Sequence, residues 1–266
     1  MIESRPVEGV DFEWLEKVVR SAGEIALRHF RKVRATRKAD NTVVTVADRE
    51  VEAFLRESLS RAFPADGFLG EETGGGAGRS GRTWVIDPID GTASYALGLP
   101  VWGVSVGLMQ GRRPVAGLFY MPLVNELYLS HGGDALFNGQ PMRVDDSGHI
   151  DSESSLLVTS EAHRNFRIDF AGKARALGSA AAHVCYVARG TAVGAVLRYF
   201  SIWDIAGALP ILRAAGGDLR YLSGRGLDPA ELADGRKCSE PVLAGAPWAL
   251  DYFAGRIEDL SAKHKV

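Results

Sequence analysis

Apolar residues recur at Leu15, Val18, Val19, Ala22, Ile25, Ala26 and Phe30, the i, i+3, i+4 spacing of one helix face, and predict an amphipathic helix within Phe12 to Val33. The same spacing at Val51, Phe54, Leu55 and Leu59 predicts a second helix from about Ala47 to Ala62, broken by Pro64. Between them, Lys38 to Val46 reads as a turn and a short extended hairpin. Gly67 to Gly70 and Thr83 to Ile86 read as short strands, separated by a glycine-rich stretch from Thr73 to Gly81 that is expected to be a mobile loop. Val101 to Met109, Val115 to Tyr120 and Glu126 to Ser130 follow as an antiparallel meander, with a turn at Gly111 to Pro114.

Past about Val144 the pattern changes to alternating strands and helices. A strand is expected at Ser155 to Thr159, a helix near Ser179 to Arg189, a strand near Ala195 to Tyr199, and an apolar helix from Asp204 ended by Gly216-Gly217. The polar stretch Asp145 to Glu153 is the expected boundary between an N-terminal α+β region, residues 1–145, and a C-terminal α/β region, residues 146–266. The whole reads as a layered α/β protein.

Composition narrows the functional classes. With 266 residues, 46% of them apolar, the chain can bury one large core or two modest ones. Its 31 basic and 33 acidic residues leave a net charge of −2 without a run of like charges, which argues against nucleic acid or a membrane surface as partner. The six Arg and Lys residues from Arg28 to Lys38 read as a solvated helix face. Two cysteines, Cys185 and Cys238, without metal-binding spacing fit a reducing cytoplasm. Met1 to Val10 carries two acids and no apolar core, and no window of 18 apolar residues exists, so neither export nor anchoring is expected.

The candidate chemistry lies in acids that follow strands. In Trp84-Val85-Ile86-Asp87-Pro88-Ile89-Asp90-Gly91-Thr92 an apolar strand runs into two acids around a proline-fixed turn, which lets Asp87 and Asp90 share one space and leaves the Ile89 carbonyl free as a further hard oxygen donor. Gly91 permits close backbone approach, and a helical turn opening at Thr92 would turn N–H groups toward a phosphate. Phe68-Leu69-Gly70-Glu71-Glu72 delivers further carboxylates to the same edge, and Ile202-Trp203-Asp204-Ile205-Ala206-Gly207-Ala208 sets another acid at a helix start. Each piece has an ordinary reading: a turn, a surface pair, a helix-start acid favoured by the macrodipole. Together they favour a metal site, because four acids packed without cations would repel strongly.

These segments, in this order, resemble the metal motifs of the inositol monophosphatase family of Mg²⁺-dependent, lithium-sensitive phosphatases, and the likeness runs from the first helix to about Gly245. The resemblance implies a layered αβαβα sandwich of the sugar-phosphatase type, an active site between the two regions, and a homodimer. It also implies two or three Mg²⁺ ions: Glu71, Asp87 and the Ile89 carbonyl on the first, and Asp87, Asp90 and Asp204 on the second, with Glu71 also near a third. Lys38 and Val43-Val44-Thr45-Val46-Ala47-Asp48 look like the family's early motif, so Asp48 beside Thr92 would position the attacking water, although Asp48 also suits a helix cap. The implied reaction is hydrolysis of a small phosphorylated metabolite by water, without a covalent phosphoenzyme.

Substrate contacts are less defined. Gly91 and Thr92 would hold phosphate oxygens, while Ser179, in Gly178-Ser179-Ala180-Ala181, and Arg198 are candidates for the rest of the substrate. Animal inositol monophosphatases carry a glutamate seven residues before the Asp of the Trp-Asp motif, where this chain has Leu197. Phosphatases for fructose 1,6-bisphosphate, histidinol phosphate or adenosine 3′,5′-bisphosphate therefore stay open, as does a regulatory or binding protein on the same fold. A two-metal nuclease is disfavoured by the lack of a basic patch.

Overall fold

The computed structural model describes residues 7–32, 35–37 and 43–261. Lys38 lies outside the described residues.

The first helix, Phe12–His29, is capped by Asp11, whose carboxylate accepts from the Glu13 and Trp14 N–H groups. It packs with the second, Val46–Ala62, on one face of an eight-stranded sheet. The apolar stripes of both helices meet Trp84, Ile86, Trp102, Val104 and Leu118 from that face. The sheet runs in the order 140–141, 134–137, 126–131, 113–121, 103–110, 82–90, 67–70, 74–76, and within it the meander is antiparallel as expected. Gly67–Gly70 lies parallel to Arg82–Asp90, which places the carboxyl ends of both strands at one edge.

The opposite face of this sheet is covered by three helices, Ala180–Ala188, Ile202–Ala206 and Ala208–Ala214, which also pack on a five-stranded sheet. That second sheet is parallel among Lys173–Arg175, Ser155–Leu157 and Gly194–Leu197, and antiparallel at Val242–Gly245 and Asp218–Tyr221. Pro247–Phe253 closes its outer face through Leu250 and Phe253. Helices, sheet, helices, sheet and helix thus alternate, the expected αβαβα arrangement. The middle layer joins Val85 and Phe119 to Ala181, Ile205 and Leu212, so residues from both sides of position 145 share one core.

Two details differ from the pattern reading. Within the glycine stretch, Gly74–Gly76 is an edge strand paired antiparallel with Gly67–Gly70, and Arg56 Nη1 donates to the Gly74 carbonyl at 2.9 Å. Ladder hydrogen bonds come from the backbone, so a stretch without side chains can still pair. The helix expected from Asp204 starts two residues earlier, at Ile202, and is divided at Gly207. Pro210 has no N–H to donate to the carbonyl of Ala206, four residues before it, which explains the division.

Candidate metal centre

In a regular strand, residues three apart point to opposite faces, so Asp87 and Asp90 converge only if the strand is irregular between them. The structure shows that irregularity. Asp87 pairs with Ser105 but Asp90 pairs with Gly103, so one extra residue bulges on the Asp-Pro-Ile-Asp side. The expected turn is therefore a bulge in a strand that runs through to Asp90. Pro88 suits it, having no N–H to lose from the ladder, and Asp87 Oδ1 accepts from the Ile89 N–H at 3.1 Å.

Asp87, Asp90 and Asp204 each turn a carboxylate oxygen to within 4.8 Å of the others. Asp204 arrives from the middle helical layer, where it also closes a capping box: its Oδ2 accepts from the Ser201 N–H at 2.6 Å. The helix-start role and the site role are compatible because a carboxylate has two oxygens and about four acceptor sites. Glu71 leaves the end of Gly67–Gly70, tied to the neighbouring strand by its N–H to the Ile86 carbonyl at 3.2 Å. Its charge acts on all three aspartates.

Among the described residues, the largest influences on the cluster are burial and the repulsion of its own acids. Burial pushes the Asp87 carboxyl well above its ordinary range, and Glu71, Asp90 and Asp204 push it further. Burial lifts Asp90 to about 6 although Ser179 Oγ and the Ala180 and Ala181 N–H groups, at 3.3 and 2.9 Å, donate to it. Asp204 is raised by burial and by Asp90. These are hard oxygen donors held together against their mutual repulsion, which is what a divalent cation of the Mg²⁺, Ca²⁺ or Mn²⁺ kind requires.

Beside these four acids lies a fifth, Asp48. Asp48 Oδ2 accepts from the Thr45 N–H at 2.7 Å and from the Thr45 hydroxyl at 2.6 Å, so it does cap the second helix. Its other oxygen is 3.1 Å from the Thr92 hydroxyl, which also lies 2.9 Å from the Ile89 carbonyl. Asp48 thus links helix cap and site in one side chain. Gly91 adopts a φ of +90°, and a Cβ there would stand 3.0 Å from the Gly178 carbonyl and 3.2 Å from Ser179 Cβ. Gly91 lets the Thr92–Ala96 turn dock against the Ser179 segment.

One residue escaped the pattern reading. Glu52 is fully buried, and its carboxylate accepts from the Glu72 N–H at 2.8 Å, the Thr73 N–H at 3.0 Å and the Thr73 hydroxyl. It clamps the chain immediately after Glu71. The available signal was its position one helical turn after Asp48, on a face otherwise apolar.

Ser179, the N-cap of Ala180–Ala188, reaches Asp90 as described and also lines a cavity of about 160 Å³ with Thr159, His183, Leu197, Arg198 and Phe200. Arg198 borders this cavity, and its Nη atoms are engaged by the C-terminal segment: Nη1 donates to Asp259 at 2.9 Å and Nη2 to Ser261 at 2.5 Å.

A carboxylate cluster set on adjoining strand ends, with the last acid supplied by a second layer, defines a layered α/β protein with a candidate metal site. The chain belongs to the inositol monophosphatase family, whose sequence profile matches residues 10–249. It is 35% identical to the histidinol-phosphatase of Chlorobaculum parvum over 247 residues, covering 85% of this chain and 94% of that one. It is 34% identical to the inositol-1-monophosphatase of Mesorhizobium japonicum, covering 76% of this chain and 82% of that one. The Thermotoga maritima IMPase structure superposes with a TM-score of 0.80 at 25% identity, over 92% of this chain and 95% of that one.

Proposed function

We propose that this chain is a Mg²⁺-dependent phosphomonoesterase that hydrolyses a small phosphorylated metabolite by direct attack of water. The observation that carries the reading is the convergence of Asp87, Asp90 and Asp204 at the bulge, with the Asp48–Thr92 pair alongside. Names of relatives support the same class: histidinol-phosphatase and inositol-1-monophosphatase both denote phosphoric monoester hydrolases.

Glu71, Asp87 and the Ile89 carbonyl are the proposed ligands of one ion, and Asp87, Asp90 and Asp204 those of a second. When bound, Mg²⁺ supplies Lewis acidity and neutralises phosphoryl charge. The protein supplies position. With Asp48 able to take the Thr92 proton into a hydrogen bond, a Thr92 lone pair is free to orient the attacking water. The N–H groups of Gly91 and Thr92 are the proposed phosphate contacts, with Ser179 and Arg198 toward the leaving group. A cytoplasmic, lithium-sensitive homodimer is the accompanying reading, supported by family membership.

Phosphate release should be measured from inositol 1-phosphate, fructose 1,6-bisphosphate, histidinol phosphate and adenosine 3′,5′-bisphosphate, with Mg²⁺ and with EDTA, beside Asp90→Asn. Release that requires Mg²⁺ and falls on the order of 100-fold or more in the variant is expected, since an ion and its alignment are lost together. Release from none of the four would favour a regulatory or binding protein on this scaffold.

A further inference from the structure

Glycine weakens a strand, so glycines gathered inside a sheet call for a reason, often another backbone that must come close. Asp87 pairs across the larger sheet with Ser105, Val85 with Gly107, and Gly107 in turn with Gly117. Paired residues share a face of the sheet, and Val85 places this face against the middle helical layer. On it the strand beside Asp87 presents Gly103, Ser105 and Gly107, with nothing larger than the serine side chain among them.

The helix Ile202–Ala206, which carries Asp204, and the Gly207 break after it rest directly on this patch. A Cβ on Gly107 would stand 2.5 Å from the Ala206 carbonyl oxygen and 2.7 Å from the Ala206 Cβ. One on Gly117 would overlap the Gly207 carbonyl oxygen, and one on Gly207 would collide with Ser105 Oγ and stand 2.9 Å from the Leu118 carbonyl oxygen. None of the three glycines has a positive φ, so alanine suits each backbone and only the space forbids it. Ser105 Oγ is buried and makes no hydrogen bond, so the contact is one of shape rather than of polar attachment.

An aspartate extends its carboxylate on a single methylene, so the depth of the helix decides where the Asp204 oxygens stand. They come within 4.8 Å of carboxylate oxygens of Asp87 and Asp90. Asp87 itself faces the helix, on the side of the sheet it shares with Ser105. Resting on the metal-site reading, we infer that Gly107, Gly117 and Gly207 are positioning residues for Mg²⁺ binding, a saddle that seats the Asp204 helix deep enough for its carboxylate to join Asp87 and Asp90. A methyl group in the saddle lifts the helix and withdraws that carboxylate.

The test is titration of metal-free protein with Mg²⁺ by calorimetry, beside the unfolding midpoint in EDTA. Gly107→Ala should raise the Mg²⁺ dissociation constant about tenfold, as loss of a group that orients a metal ligand does. Gly207→Ala should act in the same direction; it is the gentler change, because the Ser105 hydroxyl can rotate aside, and it carries the test if Gly107→Ala does not fold. Asp204→Glu lengthens the reach by one methylene, about 1.5 Å. Alone it should weaken Mg²⁺ binding, but combined with either glycine variant it should bind Mg²⁺ more tightly than that glycine variant by itself, a coupling that mere loss of stability does not produce. An unchanged Mg²⁺ affinity in the glycine variants, with a lowered unfolding midpoint, would make the saddle a feature of the fold only and overturn the inference. Asp204→Glu weakening binding by the same factor in both backgrounds would overturn it too, since the helix would not have withdrawn. Wild type that fails to bind Mg²⁺ overturns the metal-site reading and the inference with it.

Discussion

At the scale of single residues, two acids of this site each hold two jobs. Asp48 caps a helix and faces Thr92; Asp204 closes a capping box and faces Asp87 and Asp90. Glu52 has no direct place at the aspartates, yet it fixes where the chain goes after Glu71. Gly70 is part of that arrangement, because a Cβ there would fall 2.4 Å from Glu52 Oε1. Replacing the carboxylate by an amide, Glu52→Gln, turns an NH₂ toward N–H and O–H donors and leaves at least one of them unpaired. The expected cost is about 1–3 kcal/mol of stability. Because Glu71 is displaced with the turn, Mg²⁺ binding measured by titration calorimetry should weaken as well. A loss of stability with unaltered Mg²⁺ affinity would make Glu52 a fold residue only.

At the scale of elements, what was legible depended on whether a pattern is local. Helix faces and the meander follow from periodicities of 3.6 and 2 that each segment carries by itself, so Leu15 to Phe30 and Val101 to Ser130 could be placed from the sequence. The convergence of Asp87, Asp90 and Asp204 was legible for a different reason, their motif spacing. The bulge between Asp87 and Asp90 was not, because it exists only against the register of Gly103–Gln110. Pairing of Gly74–Gly76 was hidden too, since glycine carries no side-chain pattern. Nor could the ion pair that draws Arg198 to Asp259, 61 residues away, be read from either neighbourhood. The helix Ala180–Ala188 carries its own prediction. Burial pushes the His183 imidazole down to about 4, against about 6.5 when unfolded. Between those values the unfolded chain binds a proton that the folded chain does not, so stability contributed by neutral His183 is lost as pH falls from about 6.5 to about 4. At most ~1.4 kcal/mol per pH unit is involved, about 3 kcal/mol over the window. His183→Gln retains an acceptor for the Leu177 N–H and should flatten the denaturant-derived stability curve in that range; parallel curves for variant and wild type would rule His183 out as the cause.

At the scale of the whole molecule, strands from the larger sheet and a helix from the middle layer bring acids to one point, so folding and charge repulsion oppose each other there. Asp90 is raised to about 6, and Asp87 and Asp204 are raised with it. For an acid with an elevated folded-state pKa, the folded chain holds a proton that the unfolded chain has released. Metal-free protein should therefore lose stability as pH rises from about 4 through about 6. A bound divalent cation reverses the balance, since it favours the ionised carboxylates and binds only the folded arrangement. Protons and cation compete for the same oxygens. The rise in unfolding midpoint on adding Mg²⁺ to EDTA-treated protein should consequently be larger at pH 7.5 than at pH 5.5, and Asp90→Asn, which removes one of the competing charges, should reduce that difference. If Mg²⁺ instead raised the midpoint equally at both pH values, the ion would be acting away from these aspartates, and the reason proposed for their convergence would fail with it.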